Sequence, residues 1–86
     1  MIDVRGGKLV AHGDWVHYDL TSQVDGIEDT FTVPIAYTSG KILVFLNGIE
    51  VHEGASKDYI EFSDTQIQFN YVPESGETLE VWVIKK

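Results

Sequence analysis

An all-β fold, built as a small antiparallel β-sandwich or a partly open barrel of seven to eight short strands, is what this chain of 86 residues predicts. Three observations carry that expectation. Apolar and polar residues alternate with period 2, the apolar runs are rich in β-branched and aromatic residues, and clusters of Gly, Pro, Asp, Asn and Ser interrupt them at short intervals. No segment reads as a helix, and short strands at such spacing favour closing one sheet on another or on itself.

The elements follow in chain order. "KLVA" (8 to 11) is a weak strand signal, and "WVHYDL" (15 to 20) is a stronger one that sets Trp15, His17 and Asp19 on one side. "TSQVDGIEDT" (21 to 30) is a polar connection rather than an element. "TFTV" (30 to 33), "KILVFL" (41 to 46), "IEVHE" (49 to 53), "DYIEF" (58 to 62), "QIQFNYV" (66 to 72) and "TLEVWVI" (78 to 84) read as strands from their branched and aromatic content. Residues 1–23 are expected to form an N-terminal arm or edge-strand region and residues 24–86 a β-sandwich core module, within one domain. No internal repeat or low-complexity stretch appears.

Three turns are chemically explicit. Asn47-Gly48 suits a two-residue type I′ turn, because both central positions need positive φ and these residues tolerate it best. "FSDTQ" links the next pair of strands, and "VPESGET" the pair after that, with Pro73 ending a strand and Gly76 supplying permissive backbone. From residue 41 onward the chain therefore reads as an antiparallel meander.

The first hairpin can be taken further. A two-residue loop at Asn47-Gly48 sets Leu46 against Ile49, Val44 against Val51 and Ile42 against Glu53 on one face, and Phe45 against Glu50 and Leu43 against His52 on the other. One strand is thus apolar on both faces and its partner on one only, so Leu43 and Phe45 need a cover the hairpin does not provide. That cover is either the irregular N-terminal third or a neighbouring subunit. The last strand repeats the pattern, with Leu79, Val81 and Val83 on one face and Trp82 and Ile84 beside Glu80 on the other, as befits a central strand.

Composition narrows the function. A chain of this length buries only about 60 to 65% of its unfolded surface, and it has no cysteine to supply disulfides, thiol nucleophiles or zinc-thiolate ligands. Small domains without such staples often lean on oligomerisation. Fourteen acidic against six basic residues give a formal charge of −8, a field that repels nucleic acid and anionic membrane surfaces. No apolar run approaches a membrane span or a signal-peptide core, so a soluble product made in a host cytoplasm is expected.

Catalytic and ligand-binding chemistry finds little support. His12, His17 and His52 are isolated, without H-x-H or H-E-x-x-H spacing, and no G-x-S-x-G surrounds a serine. The acid pairs Asp14 and Asp19, Glu28 and Asp29, or Asp58 and Glu61 could in principle serve glycoside hydrolysis, but pairs arise by chance in so acidic a chain. Asp25, Glu28 and Asp29 offer oxygens for calcium without the order of an EF-hand loop. No enzyme activity, cofactor or metal is therefore expected. Trp15, Tyr18, Tyr37, Tyr59 and Trp82 supply flat rings suited to sugar faces, which keeps open an alternative: a carbohydrate-binding module for host surface glycans.

An ordered set of short marks runs through residues 24 to 84: Asp25-Gly26, Thr30-Phe31-Thr32, Phe45-Leu46-Asn47-Gly48, Asp58-Tyr59, Ile67-Gln68-Phe69, Pro73 and Gly76-Glu77. In that order they resemble a module that recurs in tail fibres and other structural proteins of bacteriophage virions. The resemblance implies a β-sandwich, a structural role in the virion and assembly into symmetric oligomers, with a trimer favoured. It carries no catalytic residues. A stand-alone chain of this kind would be a tail, fibre or neck component or a capsid decoration protein, binding itself and other virion proteins. Its interface residues are then expected among Leu43, Phe45, Trp82, Trp15 and Tyr18.

Overall fold

The structure is a computed structural model and describes residues 14–86. The strand expected at 8–11, His12 and the first part of the proposed arm lie outside the described residues. Seven strands follow: β1 (Trp15–Asp19), β2 (Thr30–Thr32), β3 (Tyr37–Leu46), β4 (Ile49–Val51), β5 (Tyr59–Glu61), β6 (Gln66–Phe69) and β7 (Leu79–Lys85). A single 3-10 turn, Thr21–Gln23, interrupts the polar connection after β1. The strands form two antiparallel sheets, one of four strands in the order β1-β7-β3-β4 and one of three in the order β2-β6-β5. The fold is an all-β sandwich.

Period-2 alternation puts the apolar residues of each sheet where the two sheets meet. Ile42 and Val44 of β3 and Leu79, Val81 and Val83 of β7 face Phe31, Tyr59, Ile67 and Phe69 of the smaller sheet, with Leu20, Val33 and Tyr37 closing the cluster. Each is almost fully removed from water, and burial of a large apolar side chain contributes about 1.5–3 kcal/mol. Phe31 and Phe69 meet edge to face with ring centroids 5.7 Å apart, the arrangement their quadrupoles favour.

The predicted meander does not form. The hairpins β3-β4 and β5-β6 lie in different sheets, and the chain recrosses after β6 so that β7 enters between β1 and β3. The backbone of His52 explains the departure. Its N–H donates to Asp58 Oδ2 at 2.9 Å and its carbonyl accepts from the N–H groups of Asp58 and Tyr59, at 2.9 and 3.2 Å. These bonds turn the chain away from β3 after Val51. The register Leu46–Ile49, Phe45–Glu50, Val44–Val51 stands, whereas the expected pairs Leu43–His52 and Ile42–Glu53 do not form; on the other edge of β3, Leu43 and Ile42 lie opposite Trp82 and Val83 of β7. Glu53 makes an isolated bridge with Tyr59.

Strand β3 also starts earlier than its apolar run. The register slips between Tyr37 and Ile42, where Gly40 sits at φ 80°. A residue without Cβ absorbs such a bulge without strain. Both oxygens of Glu61 accept the Gly40 N–H at 3.1 Å, tying the bulge to β5 in the opposite sheet.

One sheet edge is closed by a side chain. The Gln23 amide donates to the Thr32 carbonyl at 2.9 Å and accepts the Thr32 N–H at 2.8 Å. It pairs with β2 where a further strand would otherwise bind.

Candidate functional site

Because successive side chains of a strand alternate between faces, the register of the four-stranded sheet decides which residues share its outward face. Trp15 of β1 lies opposite Ile84 of β7, His17 opposite Trp82, and Asp19 opposite Glu80. Across β7, Trp82 lies opposite Leu43 and Glu80 opposite Phe45, which in turn lies opposite Glu50 of β4. Four of the five expected interface residues, Leu43, Phe45, Trp82 and Trp15, therefore come together on one face, with Ile84 as a fifth apolar member.

Tyr18 does not join them. It pairs with Val81, points to the other side of β1 and packs against the core. No described strand covers the outward face: β1 lies beside β7 as an edge strand rather than over it. Trp82 keeps 38% of its surface exposed, and Leu43, Phe45, Trp15 and Ile84 are half-buried by their neighbours in the sheet. The rim is polar. His17 packs its ring on Trp82 at a centroid separation of 4.9 Å and meets Glu80 Oε1 at 3.2 Å.

The outward face of the smaller sheet is of a different kind. Thr30 and Thr32 of β2 and Gln66 and Gln68 of β6 occupy it, with Ile60 of β5 as its one large apolar side chain. Gln66 Nε2 donates to Thr32 Oγ1 at 3.4 Å across the strands. Hydroxyls and amides of this sort are content in water.

The other expected ligand groups are occupied by the fold. Asp25 Oδ1 accepts the Glu28 and Ile27 N–H groups at 2.8 and 2.9 Å, and these bonds hold its carboxyl below the usual carboxylate range. Glu28 and Asp29 accept from Thr30, so all three acids of the calcium-like loop serve the turn that leads into β2. Asp58 accepts from the His52 N–H and the Tyr71 hydroxyl. Among the described residues no three His, Asp or Glu side chains converge as a metal set. Of the rings expected to stack on sugar, Tyr37 and Tyr59 are buried and Tyr18 lies on the opposite face of β1 from Trp15, whereas Trp15 and Trp82 share the outward face.

The residues of the ordered marks have evident tasks. Asn47, at φ 56°, and Gly48, at φ 79°, make the tight turn. The Asn47 side chain also accepts the Thr78 N–H at 3.0 Å and donates to Glu77 Oε2 at 2.9 Å, while Glu77 Oε1 accepts the Glu74 N–H at 2.8 Å. The Asn-Gly turn and the Pro-x-x-Gly-Glu turn are thus one hydrogen-bonded unit at the end of the sandwich. Comparison with protein-family models, with curated proteins and with solved structures returns no match.

A second feature escapes a motif search. Between β3 and β5, at the far end of the sandwich, opens a cleft of about 350 Å³ lined by Tyr37, Ser39, Glu61, Ser63, Asp64 and Lys86 among others. The Tyr37 hydroxyl is buried beside the Glu61 carboxylate and meets no partner in good hydrogen-bond geometry among the described residues. Burial, and then the nearby Glu61 carboxylate, push its pKa up. Leaving a buried hydroxyl unpaired costs about 1–3 kcal/mol. Period-2 alternation in "DYIEF" already puts Glu61 on the same side as Tyr59, which is the signal in the sequence that an acid faces inward here.

Proposed function

We propose that this chain is a non-enzymatic structural protein of a bacteriophage virion, a tail, fibre or neck component or a capsid decoration protein. It works by self-association through the outward face of its four-stranded sheet. The observation that supports this reading is the contrast between the two outward faces: Leu43, Phe45, Trp15, Trp82 and Ile84 on one, Thr30, Thr32, Gln66 and Gln68 on the other. Apolar side chains gathered on one exposed face and rimmed by polar ones are the mark of an interaction surface. The virion assignment rests on the ordered marks from Asp25 to Glu77, and a trimer is the assembly those marks favour.

The size of the face sets the strength of the contact. Four strands about 4.8 Å apart and about six residues long present on the order of 400 Å², roughly half of what each partner gives to a standard interface. Self-association is therefore concentration-dependent unless surfaces beyond the face add to it, as docking on other virion proteins would.

Sedimentation of the full chain over a wide concentration range tests the reading. Oligomers that shift to monomer in Leu43→Asp are expected, since a carboxylate on a half-buried apolar face opposes its desolvation. A monomer at the highest concentration, together with no binding to any phage structural protein, would overturn the proposal.

A further inference from the structure

We propose that the outward face of the four-stranded sheet meets the same face of a second copy about a twofold axis running across the strands, so that Lys41 of each copy lies between Glu50 and Glu80 of the other. This rests on the self-association proposed above and adds the geometry of the contact. The register sorts the outward side chains into levels along the strands. At one end Asp19, Glu80, Phe45 and Glu50 stand side by side on β1, β7, β3 and β4. At the middle level are His17, Trp82 and Leu43. At the other end Trp15 lies opposite Ile84. Lys41 precedes Ile42, the partner of Val83, and alternation puts it at the level of Ile84 and on the same side as Leu43. The face is thus acidic at one end and apolar with a single cation at the other.

Two identical sheets can be laid face to face about a twofold axis either along the strands or across them. With the axis along the strands like ends meet, and Asp19, Glu50 and Glu80 of both copies are pressed together. Like charges brought together across an interface oppose association, the more so in a molecule of net charge −8. With the axis across the strands, through Trp82 and Leu43, unlike ends meet and each strand lies over its own copy. Lys41 then comes over Phe45, which the register flanks with Glu80 on β7 and Glu50 on β4. Lys41 and Glu50 are exposed, and among the described residues neither has an ionic partner within the chain. The tilt of about 30° usual between packed sheets keeps the long lysine side chain between the two acids. A patch that meets its own copy closes at two subunits, so this contact makes pairs, and a trimer needs a further surface.

The test is sedimentation of the full chain and its charge variants, alone and mixed. Lys41→Glu should weaken self-association at least about tenfold, because a twofold contact repeats each new repulsion. The double variant Glu50→Lys with Glu80→Lys should weaken it as well, although it brings the whole molecule nearer to neutrality. An equimolar mixture of the two variants should associate again, as a heterodimer, since the exchanged charges complement each other only where unlike ends meet. Carbodiimide cross-linking of isotope-labelled with unlabelled wild-type chains should join Lys41 of one copy to Glu50 or Glu80 of another, independently of how any variant folds.

Tighter self-association of the double variant, no recovery in a mixture of variants that melt like the wild type, or cross-links between copies that leave out these pairs would overturn the twofold register. With wild-type oligomers still present, self-association itself would survive that result. A wild-type chain that stays monomeric at the highest concentration would overturn both, and give the face to residues 1–13 of the same chain or to a different protein.

Discussion

The two sheets of this sandwich treat water differently on their outward sides. The smaller sheet follows the rule for a half-solvated antiparallel sheet, with Phe31, Ile67 and Phe69 inward and Thr30, Thr32, Gln66 and Gln68 outward. The larger sheet breaks it: β3 and β7 are apolar on both sides, and Leu43, Phe45 and Trp82 look away from the core. Two sheets in one small domain thus present opposite characters to the same solvent. The exception lies in the central strands, so it spans adjacent strands and makes a continuous patch.

The sharpest way to break this comparison is to truncate one phenylalanine on each side. Phe31→Ala, in the core, should cost about 3–5 kcal/mol in chemical unfolding, whereas Phe45→Ala should cost far less in dilute monomer and act on association instead. Equal losses at low concentration would mean that Phe45 is packed as a core residue and that the outward face is not free.

Alkali probes the inward side by itself. Burial raises the hydroxyl pKa of both Tyr37 and Tyr59 above the ordinary value of 10.0, with Glu61 the leading charge in each case. The folded chain therefore holds these protons more tightly than the unfolded chain does. Their contribution is complete below pH 10 and is lost as pH rises from there through the folded values. Unfolding free energy should fall with pH above 10 while phenolate absorbance lags behind that of free tyrosine, and flat stability across this range would contradict the burial of both rings.

A smaller effect is expected at the turn that joins the two motifs. Asn47→Ala removes the bonds to Glu77 and Thr78 and puts a less tolerant residue at φ 56°. A loss of about 1–2 kcal/mol follows. Least affected should be the polar face, where Gln68→Ala is expected to stay within about 0.5 kcal/mol and to leave sedimentation unchanged.

Much of this was legible in the chain because period-2 patterning acts locally. It foretold where the described strands lie, though not the early start of β3, and the central position of β7, while the Asn-Gly pair foretold the Leu46–Ile49 turn. It could not foretell the sheet to which each hairpin belongs, since that depends on how Asp58 captures the backbone of His52, a contact made through space. Tyr18 lies on the side of β1 away from Trp15, as the alternation that groups Trp15, His17 and Asp19 already implies, and there it packs against the core. The cleft at Tyr37 was hidden for a related reason. Its acid and its phenol come from different sheets, and only the bulge at Gly40 brings Glu61 over to β3.

The Gln23 amide on Thr32 also bears on how the protein survives being made in quantity. An open strand edge recruits other chains through backbone bonds that are indifferent to sequence. By offering one donor and one acceptor in the geometry of a neighbouring strand, Gln23 ends the ladder at β2 without adding a strand. Misassembly during synthesis would be resisted by a single side chain, and a crowded cell, where many copies emerge together, is the setting in which losing it would first show, as insoluble protein rather than as a lower melting point.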